Sequence, residues 1–270
     1  MGILIAAAVI AIISVAVGVL LGVLNDRFRV ETDPREEKVR ACLAGSNCGG
    51  CGYAGCDAYA SAIVLEGADP SLCPSSDREE IGKIMGVSLA PSVRLTAFVK
   101  CSGSCAKTTQ DYSYFDEKDC RIAYLAPRHG AKSCSYGCCG FGTCALVCQF
   151  DAIRIIDGLA VVDREKCQAC GKCVGVCPNG LIELIPYDAS YAVRCSSHAK
   201  GKLVRSACQS GCIGCGLCSR VCPTGAISVA GSLASIDQTK CIACGECVKK
   251  CPAGIIVKLN DKAADLFQPS

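Results

Sequence analysis

The sequence has no tryptophan, only six phenylalanines and only two histidines among its 270 residues. A large aromatic core is therefore not expected. His129 and His198 lie in no metal-ligand spacing and are predicted to be ordinary surface residues, and no P-loop or catalytic triad is present. Acid–base chemistry on an organic substrate is thus not expected. The formal net charge of +3 is also too small to indicate a nucleic-acid partner.

Cysteine, in contrast, is abundant, with 27 residues. Three runs have the spacing C-x2-C-x2-C-x3-C-P, which is typical of bacterial ferredoxins that bind [4Fe-4S] clusters. In such a run the first three cysteines hold one cluster, and the fourth ligates the cluster of the partner run. Three runs in one chain favour iron–sulfur clusters over disulfides or zinc sites. The runs are Cys167, Cys170, Cys173, Cys177 with Pro178; Cys212, Cys215, Cys218, Cys222 with Pro223; and Cys241, Cys244, Cys247, Cys251 with Pro252.

The N-terminus predicts a membrane anchor. Gly2 to Leu24 carries no charge, and about 20 apolar residues span a bilayer. A cleaved signal peptide is not favoured, because no basic segment precedes the apolar run. Arg27, Arg29 and Arg35 follow it, so the positive-inside rule places the rest of the chain in the cytoplasm. So many thiols also require a reducing compartment. We therefore expect a single-pass protein of the cytoplasmic membrane.

A fourth cysteine group follows the anchor, with the spacing C-x2-C-x4-C-x16-C. Its members, Cys48, Cys51, Cys56 and Cys73, are predicted to bind one [4Fe-4S] cluster. The segment Gly50 to Gly55 matches G-x-G-x-x-G, but it does not follow a strand and contains these cysteines. It is therefore not interpreted as a nucleotide site.

The remainder of the chain is an internal duplication with an offset of 74 residues, which superimposes Cys138 on Cys212 and Cys177 on Cys251. Within each copy, a predicted β-hairpin joins two cysteine runs, with its turn at Asp157-Gly158 in the first copy. The predicted fold class is α+β: one N-terminal transmembrane helix, a small helical 4Fe-4S domain and two ferredoxin-like two-cluster modules. The predicted boundaries are 1–25 for the anchor, 26–90 for the N-terminal 4Fe-4S domain, 91–133 for a connecting segment with extra cysteines, 134–190 for module 1, 191–207 for a basic linker and 208–270 for module 2.

Module 1 departs from the ferredoxin pattern, since Phe141 stands where the middle ligand of its first run is expected. Cys134, Cys138 and Cys144 are the favoured loop ligands, and Cys139 in place of Cys134 is the alternative. Five clusters are then predicted. Their ligand sets are Cys48, Cys51, Cys56, Cys73; Cys134, Cys138, Cys144, Cys177; Cys167, Cys170, Cys173, Cys148; Cys212, Cys215, Cys218, Cys251; and Cys241, Cys244, Cys247, Cys222.

Seven cysteines have no assigned cluster. They are interpreted as buried thiols, or in part as ligands of a sixth cluster formed by Cys101, Cys105, Cys120 and one other residue. The seven are Cys42, Cys101, Cys105, Cys120, Cys139, Cys195 and Cys208.

Basic residues gather at two places along the chain. They predict either a solvated loop or a docking face for an acidic redox partner, where charge speeds encounter. The residues are Arg194, Lys200, Lys202 and Arg205 in the linker, and Arg128 and Lys132 before module 1.

A membrane anchor, the group Cys48, Cys51, Cys56 and Cys73, and ferredoxin runs resemble RnfB, the B subunit family of Rnf complexes. The resemblance implies a membrane enzyme that passes electrons from reduced ferredoxin to NAD and moves Na⁺ or H⁺. It implies soluble ferredoxin as donor, and membrane and peripheral subunits of the complex as partners that carry the flavins and the NAD site. Two ferredoxin modules match the longer forms of the family.

We therefore expect an electron-transfer subunit with no catalytic residue of its own for an organic substrate. Module 2 would accept electrons, and the cluster of Cys48, Cys51, Cys56 and Cys73, nearest the anchor, would release them. The alternatives are the iron–sulfur subunit of another membrane oxidoreductase, such as a hydrogenase or formate-linked complex, and a metal-storage or zinc-binding protein without redox function.

Overall fold

A computed structural model describes residues 2–27, 33–90 and 93–259 of the chain. Helix α1 spans Gly2–Arg27. Within these three ranges, no helix combines the length and the apolarity needed to cross a membrane. The anchor predicted for residues 1–25 includes positions outside the described residues. Arg29 and residues 260–270, the end of the second predicted module, also lie outside them.

A small helical domain follows α1, as predicted. Asp33 and Glu36 form a reciprocal capping box at the start of the first helix. The buried side chains of Val39, Tyr59 and Ile81 form its core. Its helices are α2 (Pro34–Ala41), α3 (Cys56–Ser61), which continues into a π-helical turn (Ala62–Glu66), and α4 (Arg78–Met85).

Module 1 is a pair of two-stranded antiparallel sheets with short helices between them. The strand before the module, β1 (Leu95–Val99), pairs with the last strand, in the register Val99 to Ile182. The predicted hairpin is confirmed, and Asp157 and Gly158 at its turn both have positive φ. The other elements are α5 (Cys120–Leu125), α6 (Thr143–Leu146), β2 (Ile153–Ile156), β3 (Leu159–Val162), α7 (Lys172–Val176) and β4 (Ile182–Pro186).

Module 2 repeats this plan. Its first strand pairs with its last in the register Val193 to Ile256, which corresponds to Val99 and Ile182 in module 1. The repeated unit therefore starts earlier than the cysteine spacing indicated, inside the segment predicted to be a basic linker. The elements are β5 (Tyr191–Val193), α8 (Gly201–Ala207), α9 (Leu217–Arg220), β6 (Ile227–Ala230), β7 (Leu233–Ile236), α10 (Glu246–Lys250) and β8 (Ile256–Lys258).

The segment predicted to connect the N-terminal domain to module 1 also joins the two modules. Thr108 forms an antiparallel bridge with Cys208. The backbone N–H of Gln209 donates to the Lys107 carbonyl oxygen at 2.9 Å, and the N–H of Thr109 donates to the Ala207 carbonyl oxygen at 3.2 Å. Residues 105–110 therefore hold the two modules side by side.

Candidate iron–sulfur sites

The N-terminal site is a small cavity lined by Cys48, Cys51, Cys56 and Cys73, the four cysteines that the spacing predicted. The loop that carries Cys48 is fixed by Asn47, whose side-chain oxygen accepts from the Cys56 N–H at 2.8 Å. The structure thus brings this ligand set together.

Module 1 contacts this cavity directly. Gln168 and Cys170 also line it, and the Ser75 hydroxyl donates to the Gln168 carbonyl oxygen at 2.5 Å. A Cβ atom at Gly50 would lie 2.5 Å from the Cys170 carbonyl oxygen, so only glycine allows the two backbones to approach this closely. The glycine-rich loop therefore allows this close contact and also carries the cavity-lining Cys51.

The second site of module 1 also matches its predicted set. Cys148, Cys167, Cys170 and Cys173 line one cavity. The Cys167 sulfur accepts from the N–H of Ala97 at 3.3 Å and from that of Ala169 at 3.4 Å. Backbone N–H groups aimed at sulfur are the usual outer contacts of iron–sulfur ligands.

The first site of module 1 differs from the prediction. Cys138, Cys144 and Cys177 line one cavity, together with Cys120 and Cys139. Cys134, the favoured third ligand, is instead in the wall of a separate cavity. The loop 134–144 therefore does not supply three ligands to one site in the way that the spacing suggested.

Cys120 lines the cavity at which Phe141 leaves the first run without a cysteine. The backbone N–H groups of Phe141 and Thr143 and the Thr143 hydroxyl hydrogen-bond the Cys120 sulfur, and the hydrogen bond from the Cys139 thiol lowers the pKa of Cys120 to about 5. The Cys139 sulfur also lies 3.3 Å from the His129 carbonyl oxygen, so its one thiol proton can be directed either to that oxygen or to Cys120, and the contact with Cys120 raises the pKa of Cys139. The cavity therefore offers Cys120 as the candidate ligand, with Cys139 as its neighbour. Sequence spacing alone missed Cys120 because it lies 18 positions before Cys138.

Module 2 brings together its predicted first set. Cys212, Cys215, Cys218 and Cys251 line one cavity, in the positions of Cys138, Phe141, Cys144 and Cys177. For its second set, Cys247 lies close to Cys241 and Cys244 and packs with Cys222 in the same apolar cluster.

The thiols in these sites suit iron. All 27 cysteines are free. Burial raises the pKa of Cys144 and of Cys173 to about 12 each, so that a thiolate there needs a cation, which bound iron supplies. Among the described residues, no group of three or more His, Cys, Asp or Glu side chains is arranged to hold a metal ion. The thiols instead surround cavities, as ligands that enclose a multi-atom cluster do.

The predicted basic groups separate in the structure. Lys200, Lys202 and Arg205 are exposed on or next to α8. Arg128 is also exposed, in the short turn Pro127–His129. Lys132 is only 7% exposed and donates to the carbonyl oxygens of Gly103 and Gly158. Arg194 is partly buried and lines the same cavity as Cys134.

The two histidines have ordinary structural contacts. His129 stacks on Tyr124 at 4.0 Å between ring centroids, and His198 contacts the Gly231 carbonyl oxygen. Neither lies in a thiol-lined cavity.

Two ferredoxin-like modules, joined to a helical domain with its own four-cysteine site, define an iron–sulfur electron-transfer protein. Family profiles match the same regions. One described as "Putative Fe-S cluster" matches residues 43–75, "4Fe-4S binding domain" matches 160–183, and "4Fe-4S dicluster domain" matches 211–255.

Curated relatives extend the match to most of the chain. The B subunit of the Na⁺-translocating ferredoxin:NAD⁺ oxidoreductase complex of Acetobacterium woodii is 44% identical over 87% of this chain and 72% of its own length. The B subunit of the ion-translocating oxidoreductase complex of Methanosarcina acetivorans is 41% identical over 86% of this chain and 89% of its own length. The B subunit of the proton-translocating ferredoxin:NAD⁺ oxidoreductase complex of Clostridium ljungdahlii is 40% identical over 86% of this chain and 83% of its own length. The chain belongs to the family of B subunits of Rnf-type ion-translocating oxidoreductase complexes.

Proposed function

We propose that this chain accepts electrons from reduced ferredoxin and passes them to the other subunits of an Rnf-type complex, which reduces NAD and moves Na⁺ or H⁺. The names of the relatives in Acetobacterium woodii and Clostridium ljungdahlii support this function. A bound [4Fe-4S] cluster supplies one-electron chemistry. The contribution of the protein is to hold five such sites next to one another.

The observation that carries this proposal is the contact between the N-terminal site and module 1. Cys170 is a predicted ligand of one site and also lines the cavity of the next. Inside module 1, Cys144 and Cys173 lie close together and share one apolar core, although they belong to different sites. The N-terminal site and the two sites of module 1 therefore follow one another closely.

A difference between the two modules supports module 2 as the electron-accepting end. Cys244 corresponds to Cys170, and Ile242 corresponds to Gln168, at the offset of 74 residues. The loop of Cys170 is covered by Gly50 and Ser75 of the N-terminal domain. Cys244 is exposed, and Ile242 beside it is 62% exposed. The free loop thus leaves room for a soluble donor.

Two lysines lie beside this free loop, one of them, Lys249, paired with Glu246 at 2.7 Å. Lys249 and Lys250 are exposed on α10, and Lys249 lies near Cys244. Such a surface suits an acidic redox protein, because complementary charge raises the rate of encounter. Lys200, Lys202 and Arg205 are also exposed on module 2.

We further propose that α1 anchors the chain in the cytoplasmic membrane, with the cluster domains on the cytoplasmic side. The support comes from the sequence, in which Gly2 to Leu24 carries no charge and about 20 apolar residues span a bilayer. Ile12 and Leu20 of α1 are 68% and 58% exposed, which leaves apolar surface available to lipid. The N-terminal site, which follows α1 in the chain, would then deliver electrons to membrane subunits.

The test uses the full-length chain purified under anaerobic conditions. Reduced ferredoxin should reduce the clusters, and low-temperature EPR should then detect reduced cubanes. Assembled into the complex, Cys51→Ala should abolish NAD reduction by ferredoxin, whereas Cys105→Ala, which changes an exposed thiol outside the five sites, should retain it. Unimpaired NAD reduction in Cys51→Ala would contradict the proposed route.

A further inference from the structure

A cavity of about 470 Å³ lies between the two ferredoxin modules, and four cysteines line it: Cys101, Cys134, Cys195 and Cys208. None of them belongs to the five sites above. We propose that these four cysteines bind a sixth iron–sulfur cluster, which joins the two modules into one electron path. That path rests on the proposed function, but the presence of the cluster is tested independently of it.

The four thiols form two equivalent pairs. Cys134 corresponds to Cys208 at the offset of 74 residues. Cys101 and Cys195 both lie two residues after the first strand of their unit, β1 and β5 respectively. Each unit therefore supplies one cysteine after its first strand and one cysteine near the start of its first run. The cavity is completed only when the two modules lie side by side.

The sulfurs converge on this cavity. A Cβ atom at Gly103 would lie 3.5 Å from the Cys101 sulfur and 3.5 Å from the Cys208 sulfur, so both sulfurs border one point. Cys134 and Cys195 line the same cavity.

The backbone around the four sulfurs is that of cluster ligands. The N–H of Gly103 donates to Cys101 at 3.3 Å, and the N–H of Ser197 donates to Cys195 at 3.5 Å, in each case from the second residue after the cysteine. Cys134 and Cys208 receive the same bond from Tyr136 and Ser210. Among the motif cysteines, Cys167 receives it from Ala169.

Two cations face the cavity region and suit an anionic occupant. Arg194 lines the cavity, and its Nε atom is buried without a hydrogen-bond partner among the described residues. The buried Lys132 ammonium donates to the Gly103 carbonyl oxygen at 2.8 Å, next to the Cys101 loop. A cluster held by four thiolates carries net negative charge, and nearby cations compensate it.

The position of the cavity explains what the cluster would do. On one side, Cys101 shares an apolar core with Cys138 of module 1. On the other, Cys195 accepts a hydrogen bond from the N–H of Cys212 of module 2. A cluster held by these four cysteines would lie between the first sites of the two modules and would supply one-electron chemistry at that position.

This set differs from the sixth cluster that the spacing suggested. Of its three predicted ligands, Cys101 lines the cavity between the modules, whereas Cys120 lies in the first site of module 1. Cys105 is exposed beside the hairpin turn, where its N–H donates to the Asp157 carbonyl oxygen.

The test measures iron and acid-labile sulfide in the full-length chain, reconstituted and purified under anaerobic conditions. Six cubanes predict about 24 iron atoms for each wild-type chain, at four per cubane. Cys134→Ala and Cys208→Ala, which alter different modules, should each reduce this to about 20, and the double variant should also contain about 20. Cys105→Ala is the matched control and should retain about 24. Circular dichroism identifies a variant that fails to fold, in which case the other single variant decides the result.

The outcomes separate the two proposals. If Cys208→Ala folds and keeps the wild-type iron content, the sixth cluster is overturned, and normal reduction of the chain by ferredoxin would leave the proposed function intact. If Cys134→Ala and Cys208→Ala lose iron additively, the two residues serve different clusters and the shared site is also overturned. A wild-type chain without any reduced-cubane EPR signal would overturn both proposals.

Discussion

The backbone N–H of Cys212 donates to the sulfur of Cys195 at 3.3 Å. Cys212 is a predicted ligand that lines the first site of module 2, and Cys195 lines the cavity between the modules. One hydrogen bond thus links two neighbouring thiol sites. Because hydrogen bonds to sulfur raise the reduction potential of a cluster by stabilising its more negative form, the loop of one site helps to set the electrostatics of the next.

The free loop of module 2 should determine how fast the donor reacts. Ile242→Glu places a negative charge beside the exposed Cys244 and should lower the second-order rate of reduction by an acidic ferredoxin by about tenfold, since steering changes on-rates by 10-fold or more. Iron content should not change. Stopped-flow absorbance at two salt concentrations measures the effect. Leu65→Glu, at a side chain that is 67% exposed on the N-terminal domain, is the control. Equal rates for the two variants would exclude this loop as the docking site.

The assignment of Cys120 gives a second prediction. Cys120→Ala should lose one cluster, which is about four iron atoms per chain, because it removes a ligand that Phe141 cannot replace. Cys139→Ala removes only a neighbouring donor and should keep the cluster, with a shift in its potential. Iron analysis and EPR redox titration of both variants distinguish these roles. The reverse pattern of iron loss would make Cys139 the ligand, as the alternative interpretation of the sequence holds.

The contact of Gly50 with Cys170 gives a third prediction. Gly50→Ala introduces a methyl group 2.5 Å from the Cys170 carbonyl oxygen, and relief of such overpacking typically costs about 1–3 kcal/mol. We expect a full iron content, a lower melting temperature for the N-terminal domain and slower electron transfer through the assembled complex. Gly175→Ala, with open space around its Cβ position, should behave as wild type. A wild-type melting profile for Gly50→Ala would show that the two domains do not rest on this contact.

The proposed anchor gives a fourth prediction. Val15→Arg places a charge in the middle of α1, and arginine at the centre of a membrane helix costs about 2.5–3.5 kcal/mol. A larger fraction of the chain should then be extracted from membranes by alkaline carbonate, with unchanged iron content. Val87→Arg, at a half-exposed residue after α4, should remain bound. Complete retention of Val15→Arg after extraction would contradict insertion of α1.

Spacing predicted those features whose cause is local in the chain. Cys48, Cys51, Cys56 and Cys73 meet because short loops and one helix connect them, and the Asp157-Gly158 turn forms because its residues tolerate positive φ. The start of the second module was predicted less accurately. Strand β5 belongs to that module because it pairs with β8, and this pairing is not visible in the cysteine spacing.

Cysteine spacing could not predict the group formed by Cys101, Cys134, Cys195 and Cys208, for a related reason. Its first and last members are 107 positions apart (208 minus 101), and the four meet only when two copies of the fold contact each other. The position of Cys120 in the first site of module 1 likewise depends on how α5 is placed against module 1 rather than on a motif.

The equivalence of the two thiol pairs has a consequence for how such chains can be divided. A fragment that ends before β5 would keep Cys101 and Cys134, and the complementary fragment would keep Cys195 and Cys208. Each half would then carry two thiols of an incomplete pocket, open to water and to oxidation. Tandem repetition of a ferredoxin unit has here produced a binding position that neither unit possesses alone.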